Sequence, residues 1–327
     1  MITWGLVGNS HDASLAIFDN NELVSAALAK EFSGIHHDPD INWGLIEWAQ
    51  TQRGMPDQLI WYERPFLKTL RQYWAGQGWL LKENNIKQYV SNACSYLGHV
   101  PIKYTQHHTS HAAYAYYTQP HDRCAVICLD SIGEFECLTI WACENGRMHK
   151  IHSQSYPHSL GLFYSAMTQR IGLVPQRDEY LVVRSAQMGD PGRLSHLIRK
   201  ELIDVDHTKS KPQQIRMREN LHRGCKWWHP ELSSRQDLYD IAAATQAVFE
   251  YCLATLSIWT KVQTGMDHLA LAGGGALNKQ AVDLIRNQWQ TVWVPPNPGD
   301  PGSCVGGVLA QTRQRIDNID KAWYKKV

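Results

Sequence analysis

The sequence predicts an α/β protein built from two similar halves, and three observations lead to that expectation. First, two stretches have the pattern of antiparallel three-stranded meanders, each with a polar turn after its first strand. Second, the last third alternates strands and helices around a run of three glycines. Third, 327 residues with 43% hydrophobic and 19% charged side chains suffice for about two lobes with a large buried core.

The first half begins with the clearer meander. Asn20-Asn21 supplies a tight turn between its second and third strands. Short apolar and helical patterns follow, and a helix without Gly or Pro is predicted at 107–117. The predicted strands are 2–8, 13–18, 22–29, 59–62 and 100–105, with a helix near 41–52 and helical segments up to about residue 94.

The second half repeats this order. A meander is followed by a helix whose N-cap is predicted to be Ser159, then by a segment at 178–234 interpreted as loops and an insertion. We place the lobe boundary so that the N-terminal lobe is 1–158 and the C-terminal lobe 159–327. The predicted strands are 124–130, 137–142, 148–156, 269–271 and 291–294, and the predicted helices are 159–172, 235–262, 278–288 and 303–315.

The overall composition excludes several classes of protein. Lys and Arg number 32 and Asp and Glu 31, so the net charge of +1 excludes a chain dominated by a basic arm or an acidic tail. The N-terminus lacks the features of a signal peptide, and no run of about 18 apolar residues predicts a membrane span. The eight cysteines form no C-x-x-C motif. We therefore expect a cytoplasmic protein with reduced, buried thiols and no membrane partner.

The sharpest local motif is the pair His107 and His111 at the start of a predicted helix. Residues four apart share a helix face, so both imidazoles can aim at one metal ion, whereas His108 points about 100° away. Packed or capping histidines would show the same spacing. No glutamate lies between the two as in H-E-x-x-H, so a metalloprotease is a weak interpretation.

The two polar turns can both approach an anion. The first, 8–14, offers backbone N–H groups and places His11 beside Asp12 for acid/base chemistry, although a plain hairpin would look similar. The second, 130–134, carries two carboxylates, which suit phosphate or a bridging Mg²⁺.

The glycine run 273–275 joins a strand to a helix, so its backbone can approach a nucleotide closely. Its spacing matches neither a Rossmann nor a Walker motif. The loop 297–303 leaves Asp300 available as a ligand, or it is an ordinary Pro-Gly turn. Two such hairpin turns, a helix between lobes and a glycine turn form the plan of the actin and sugar-kinase superfamily, in which the nucleotide lies in the cleft between duplicated lobes.

These segments together resemble the O-carbamoyltransferases of nodulation and antibiotic tailoring, the NodU, CmcH and TobZ type. Eight segments agree in family order from end to end of the chain. They are Gly8-Asn-Ser-His-Asp-Ala-Ser14, Glu31 with His37-Asp38, His107-His-Thr-Ser-His-Ala-Ala113, Leu129-Asp-Ser-Ile-Gly-Glu134, Ser159-Leu-Gly-Leu-Phe-Tyr-Ser165, Asp240-Ile-Ala-Ala-Ala-Thr-Gln246, Leu271-Ala-Gly-Gly-Gly-Ala-Leu-Asn278 and Gly299-Asp-Pro-Gly302.

The resemblance implies a metal and a nucleotide. Such enzymes contain a domain similar to the tRNA threonylcarbamoyl-transfer proteins, in which an H-x-x-x-H pair and the Asp of a G-D-x-G loop bind the metal. Carried over, the ligands are His107, His111 and Asp300, and the ion is Fe or Zn. ATP, with Mg²⁺, or a carbamoyl-adenylate would lie against both turns and the glycine run. The residues assigned to it are Ser10, Asp130, Ser131, Gly133, Glu134, Gly273, Gly274, Gly275 and Asn278.

The implied reaction is carbamoyl transfer. Carbamoyl phosphate and ATP give a carbamoyl-adenylate, an acceptor hydroxyl attacks its carbamoyl carbon, and AMP leaves. His11 matches the family histidine proposed as general base, and Asp12 lies beside it. The implied acceptor contacts include Glu31 and His37. The lysine of the family segment E-x-K-V-M-G-L-A is absent from 179–186, where Arg184 is the candidate substitute.

Length is the largest departure from the family. Typical members carry a C-terminal YrdC-like domain that makes the carbamoyl-adenylate, and the 327 residues leave no room for it. We therefore expect that a separate carbamoyl-activating protein supplies the group, or that this domain uses carbamoyl phosphate by itself.

A basic insertion at 193–235 bears on the acceptor. It holds ten Lys or Arg against five Asp or Glu, together with Trp227 and Trp228. Cations with stackable rings suit a nucleic-acid channel, whereas a solvated loop is the simpler interpretation. The favoured acceptor is 5-hydroxymethylcytosine, in DNA or as a nucleotide, as would suit a viral member acting in the host cytoplasm. The rivals are a sugar or antibiotic hydroxyl and, in another class, a non-catalytic nucleotide-binding subunit.

Overall fold

The computed structural model describes residues 1–205 and 215–325 of the chain. The first half contains one five-stranded sheet and five helices. The strands are β1 (Ile2–Val7), β2 (Ser14–Asp19), β3 (Glu22–Leu28), β4 (Gln58–Trp61) and β5 (Ile102–Tyr104), and the helices are α1 (Lys30–Ser33), α2 (Trp43–Arg53), α3 (Pro65–Trp74), α4 (Ile86–Ala93) and α5 (His107–Thr118).

In its described residues, the second half contains another five-stranded sheet, a short hairpin and six helices. The strands are β6 (Cys124–Leu129), β7 (Glu136–Glu144), β8 (Arg147–Ser155), the hairpin strands β9 (Ile203–Val205) and β10 (Ile215–Met217), then β11 (His268–Ala272) and β12 (Thr291–Trp293). The helices are α6 (Leu160–Arg170), α7 (Glu179–Ala186), α8 (Pro191–Glu201), α9 (Arg235–Thr264), α10 (Lys279–Ile285) and α11 (Ser303–Thr312).

The two sheets have the same topology. Their orders are β3-β2-β1-β4-β5 and β8-β7-β6-β11-β12. In each sheet the first three strands form an antiparallel meander, and the last two run parallel to the first strand. Strand order and direction both repeat, so the predicted duplicated α/β fold of two lobes is confirmed.

The predicted lobe boundary at residue 158 is wrong at the level of the sheets. Strands β6 to β8 pair with β11 and β12, so a division at 158 would cut through the second sheet. The sheets divide the chain at α5 instead. The prediction failed because the long-range parallel pairing of β6 with β11 leaves no local signal at either strand.

Helices α5 and α11 pack against each other between the two sheets. Helix α5 also contacts β6 and β11, and α11 also contacts β1 and β4. The two helices lie so close that a Cβ at Gly306 would be 2.0 Å from the carbonyl oxygen of Ser110. Side chains at the start of α5 are therefore held where the two halves meet.

The described residues of the segment 178–234 are more regular than the loops predicted for it. It contains α7, α8 and the β9–β10 hairpin, and both helices pack on α9. Leu194 and Ile198, one helical turn apart, bury the inner face of α8. The basic composition of its outer face concealed this pattern.

Helix α9 is long and apolar enough to cross a membrane by length and composition, but 67% of its apolar window is buried inside the protein, as in the core helix of a soluble domain.

The eight cysteines are unpaired and seven of them are buried, which confirms the prediction of free, packed thiols.

Candidate metal and nucleotide site

The site is built first from the N-terminal turns of α5. His107 and His111 are 2% and 0% exposed, and their Nε2 atoms lie 3.0 Å apart. His108 faces away from them, with its Nδ1 3.1 Å from Thr139 Oγ1, and burial lowers its pKa well below the usual value. One face of the helix therefore carries the histidine pair, as the spacing predicted.

Two carboxylates from the second half complete the cluster. Asp300 lies at the start of a short 3₁₀ turn before α11, and its Oδ1 is 3.4 Å from the Nε2 atoms of both His107 and His111. Asp130 follows β6 directly, and its Oδ2 lies 3.0 Å and 3.8 Å from the same two nitrogens. One ligand atom from each of the four residues lies within 4.8 Å of the others.

These distances suit a metal ion. Ligand atoms held about 2.0 to 2.1 Å from a tetrahedral zinc ion lie roughly 3.3 Å from one another, and the five distances between ligand atoms given above range from 3.0 to 3.8 Å. Two imidazoles with two carboxylates form a donor set that fits Zn or Fe. His111 Nδ1 lies 3.3 Å from Ser303 Oγ, an outer contact that orients the ring.

The charges of the cluster also favour a cation. Burial alone would lower the pKa of His107, but Asp300 and Asp130 outweigh it and hold that pKa well above the usual value. Burial would raise the pKa of both carboxylates, but the two histidines keep both pKa values below the usual range. Two buried ionised carboxylates attract positive charge to the cluster, which either protonated histidines or a divalent cation can supply.

The first turn adds a histidine that reaches the cluster. His11 Nδ1 lies 3.0 Å from Asp12 Oδ2, and His11 Nε2 lies 3.9 Å from Asp300 Oδ2. Asp12 Oδ2 is also 2.8 Å from His37 Nδ1. Burial lowers the pKa of His11, but the hydrogen bond to Asp12 and the charges of Asp300, Asp12 and Asp130 together raise it to about 9.

The backbone of this turn is strained. Asp12 has a φ of 56° and His37 a φ of 55°, which place both in the left-handed region. Neither residue is glycine or asparagine, and such conformations cost free energy that is offset by surrounding contacts. The hydrogen bond between the two side chains is one such contact.

The glycine run meets the cluster through Asp130. The N–H of Gly274 donates to Asp130 Oδ1 over 3.1 Å. Gly273 has a φ of +85°, and a Cβ there would lie 2.3 Å from the carbonyl oxygen of Leu129, so only glycine fits. Asn278 caps α10, and its amide pairs with that of Gln246 at 2.9 and 3.0 Å. The run thus lies next to the cluster, as the nucleotide hypothesis requires.

Glu134 has a different role from the predicted one. It is 4% exposed, and its oxygens accept the backbone N–H groups of Arg64, at the start of α3, and of His107. The assignment of Glu134 to nucleotide binding is therefore corrected, because its carboxylate is used to hold two helix N-termini. Gly133 packs on the ring of His107, where a Cβ would lie 3.0 Å away.

Two further contacts involve the two turns and the residues beside them. Beside the first turn, the ring of Tyr62 lies 5.3 Å from that of His107. The carbonyl of Ser131 accepts a hydrogen bond of 2.6 Å from Ser159 Oγ, the confirmed N-cap of α6. Tyr62 was missed by the sequence analysis, since a tyrosine at the end of a strand carries no functional signal.

The residues predicted to contact the acceptor differ in their exposure and their contacts. Trp228 is 2% exposed and its indole N–H donates to Glu201, so the prediction that it stacks on an acceptor base is wrong. Trp227 is exposed, and Arg184 lies over the ring of Tyr180. Glu31 is half-buried in α1, close in sequence to His37. The basic insertion is partly neutralised, because Arg193 pairs with Asp237 and Asp240.

Comparisons with known proteins place this chain in a family. The family model described as "Carbamoyltransferase N-terminus" matches residues 3–309. An uncharacterized protein of Synechocystis sp. is 27% identical over 96% of this chain and 57% of its own length. The nodulation protein NolO of Bradyrhizobium diazoefficiens is 26% identical over 62% of this chain and 37% of its own length.

Among solved structures, the activator of the 2-hydroxyisocaproyl-CoA dehydratase from Clostridium difficile with bound ADPNP is 13% identical, with a TM-score of 0.45 over 98% of this chain and 96% of that chain. The chain spans about half the length, or less, of the curated relatives named above. The family match covers both sheets and all four clustered donors. The chain therefore belongs to the family defined by the carbamoyltransferase N-terminal domain.

Proposed function

We propose that this chain transfers a carbamoyl group, derived from carbamoyl phosphate and ATP by way of carbamoyl-adenylate, to the hydroxyl of an acceptor. The observation that carries the proposal is the convergence of His107, His111, Asp130 and Asp300 beside His11 and the glycine run, in a chain of this family. A phosphate-bearing ligand bound beside this cluster would lie next to both an acid/base group and a cation site.

The step is an acyl transfer. The acceptor oxygen forms a bond to the carbamoyl carbon, the bond from that carbon to the phosphate oxygen of AMP breaks, and the hydroxyl proton passes to a base. His11 is the base we assign, since its Nδ1 is held by Asp12 and its Nε2 faces the cluster. Asp12 fixes the ring, and His37 fixes Asp12.

The metal would be held by His107, His111, Asp130 and Asp300. When bound, an Fe or Zn ion supplies Lewis-acid polarisation of the adenylate and offsets the negative charge that raises the pKa of His11. The backbone N–H groups of the glycine run would face the nucleotide. ATP, with Mg²⁺, is the nucleotide from which the adenylate forms.

The acceptor we propose is a hydroxymethylated pyrimidine, as 5-hydroxymethylcytosine in DNA or as a nucleotide. Its support is the local positive charge of 193–235 and the exposed ring of Trp227. A sugar or antibiotic hydroxyl is the rival. We place the reaction in the cytoplasm, where eight unpaired cysteines stay reduced.

The test uses the purified chain with zinc or iron, carbamoyl phosphate, ATP and hydroxymethylcytosine as nucleotide or oligonucleotide, followed by mass spectrometry. We expect a carbamoylated product and release of AMP, both lost in Asp300→Ala. Turnover by the chain alone makes a separate activating protein unnecessary. Product formed equally well by Asp300→Ala would overturn the assignment of the site. A chain that binds nucleotide but transfers nothing even when carbamoyl-adenylate is supplied would favour the non-catalytic subunit.

A further inference from the structure

A cavity of about 570 Å³ lies beside the second turn and is used by none of the groups assigned so far. One wall is Trp74, the last residue of α3 in the first half. The opposite wall is formed by 153–158, at the end of β8, and by Arg216 and Met217 of β10 in the second half. The cavity thus lies between elements of the two halves.

The aromatic wall is ready to stack on a planar ring. Trp74 is 61% exposed, although an indole gains free energy by leaving water. Its ring meets that of Tyr156 edge to face, with centroids 5.5 Å apart. Tyr156 is 6% exposed and its hydroxyl accepts a hydrogen bond of 2.7 Å from Asn220. Because Tyr156 is buried and hydrogen-bonded, its contact holds the ring of Trp74 in a defined orientation.

The polar wall supplies a cation and a donor. Burial and the charge of the neighbouring Arg216 lower the pKa of His158. Its Nδ1 accepts the backbone N–H of Met217 over 3.2 Å, so the ring carries its proton on Nε2, where it can donate a hydrogen bond. One guanidinium and one N–H opposite a stacking ring suit a planar base that carries a phosphate.

The cavity is tied to the metal cluster on both sides. From α3, Arg71 Nε donates to the carbonyl of Glu134 over 3.3 Å. From the other wall, Tyr156 N donates to the carbonyl of Phe135 over 2.9 Å. Both contacts reach the turn that begins with Asp130, one of the four clustered donors. The cavity therefore borders the turn that holds Asp130 in the cluster.

We infer that this cavity binds a nucleotide, with its base on Trp74 and its phosphate on Arg216, and that it is where the acceptor is held. The second clause rests on the proposed function, whereas the first does not. The source of the nucleotide is either a free nucleoside monophosphate or one residue of a DNA strand, and both present the same base and phosphate.

The experiment measures binding without turnover. Quenching of tryptophan fluorescence in the full chain is recorded with 5-hydroxymethyl-dCMP, with the nucleoside lacking the phosphate, and with a short single-stranded oligonucleotide containing the same base. We expect saturable binding of the monophosphate or the oligonucleotide, the tighter of the two identifying the source, and weaker binding of the nucleoside.

Matched variants locate the site. Loss of a stacked ring weakens binding roughly five- to 150-fold, so Trp74→Ala should show that loss by calorimetry, and Arg216→Ala should weaken the monophosphate more than the nucleoside. The controls are Trp43→Ala, an equally exposed indole on α2, and Arg218→Ala, an arginine of the same segment that is not among the residues lining the cavity; both should stay within about twofold of the wild type.

The outcomes separate the two proposals. Binding that depends on Trp74 and Arg216 supports the nucleotide site even if no carbamoyl transfer is seen, and in that case the proposed function fails alone. Absence of saturable binding, or binding unchanged in both variants, would overturn the inference while leaving carbamoyl transfer to another acceptor intact.

Discussion

The two polar turns occupy equivalent places in two sheets of the same topology, yet they carry different chemistry. The first turn, after β1, holds partly exposed His11 and Asp12 in a hydrogen-bonded chain to His37. The second, after β6, holds Asp130 in the buried cluster and Glu134 against two helix N-termini. The repeated backbone therefore brings two turns to equivalent places, whereas their side chains differ: one turn carries a histidine–aspartate pair and the other a cluster carboxylate and a buried glutamate.

The largest effect is expected at the cluster in which α5 and the second half would hold the proposed metal. His111→Ala should abolish stoichiometric metal binding, because even loss of an outer contact costs roughly 10- to 100-fold in affinity. Elemental analysis of the purified protein measures the metal content. His149→Ala, at an exposed position of β8, is the control and should keep it. Full metal content in His111→Ala would show that His111 is not a metal ligand.

A second pair of variants compares the turns directly. Asp130→Asn should weaken metal binding roughly 10- to 100-fold, whereas Asp12→Asn should leave it almost unchanged, because only Asp130 belongs to the cluster. Competition with a chromophoric chelator gives both affinities. Equal losses in the two variants would mean that the turns share one role, contrary to the comparison.

The positioning role of Glu134 predicts an effect on stability. Glu134→Gln should lower the free energy of unfolding by about 1.5 to 3 kcal/mol, because a buried charged acceptor for two backbone N–H groups is weakened. Urea denaturation measures it. Glu144→Gln removes an exposed pairing with Arg123 and should cost less than about 0.5 kcal/mol. A similar cost in both variants would contradict the role of Glu134.

The smallest effect concerns the pKa of His11. In the metal-free protein this pKa is about 9, and the Asp12 hydrogen bond and charge contribute to raising it. Asp12→Asn should therefore lower it, so that the ring loses its proton at a lower pH. An NMR titration of the His11 ring follows this directly, with His99→Gln to assign a solvent-exposed resonance as reference. An unchanged or higher pKa in Asp12→Asn would show that Asp12 does not act on His11.

Local patterns predicted most of the elements of the fold. The meanders, the Ser159 cap and the long α9 follow from alternation, turn residues and helical periodicity, all of which act within a few residues. The lobe boundary could not be predicted from local patterns, because the pairing of β6 with β11 joins residues more than a hundred positions apart. Burial of Trp228 depended on the fold of the basic insertion and was equally invisible.

The site was predictable to the extent that motifs are local. The spacing of His107 and His111 indicated a shared helix face, and the family resemblance added Asp300. Asp130 was assigned to the nucleotide, since only the return of β6 beside α5 brings its carboxylate to the histidines. The available signal was a carboxylate directly after a strand. Such a position is equally consistent with a phosphate site and with a metal site.

The central claim is that donors from α5 and from the second half form one metal centre between the sheets. Anomalous diffraction from crystals of the zinc- or iron-loaded chain, recorded on both sides of the metal absorption edge, tests it most directly. The account predicts one peak within bonding distance of His107, His111, Asp130 and Asp300. No peak, or a peak held by other residues, would contradict it.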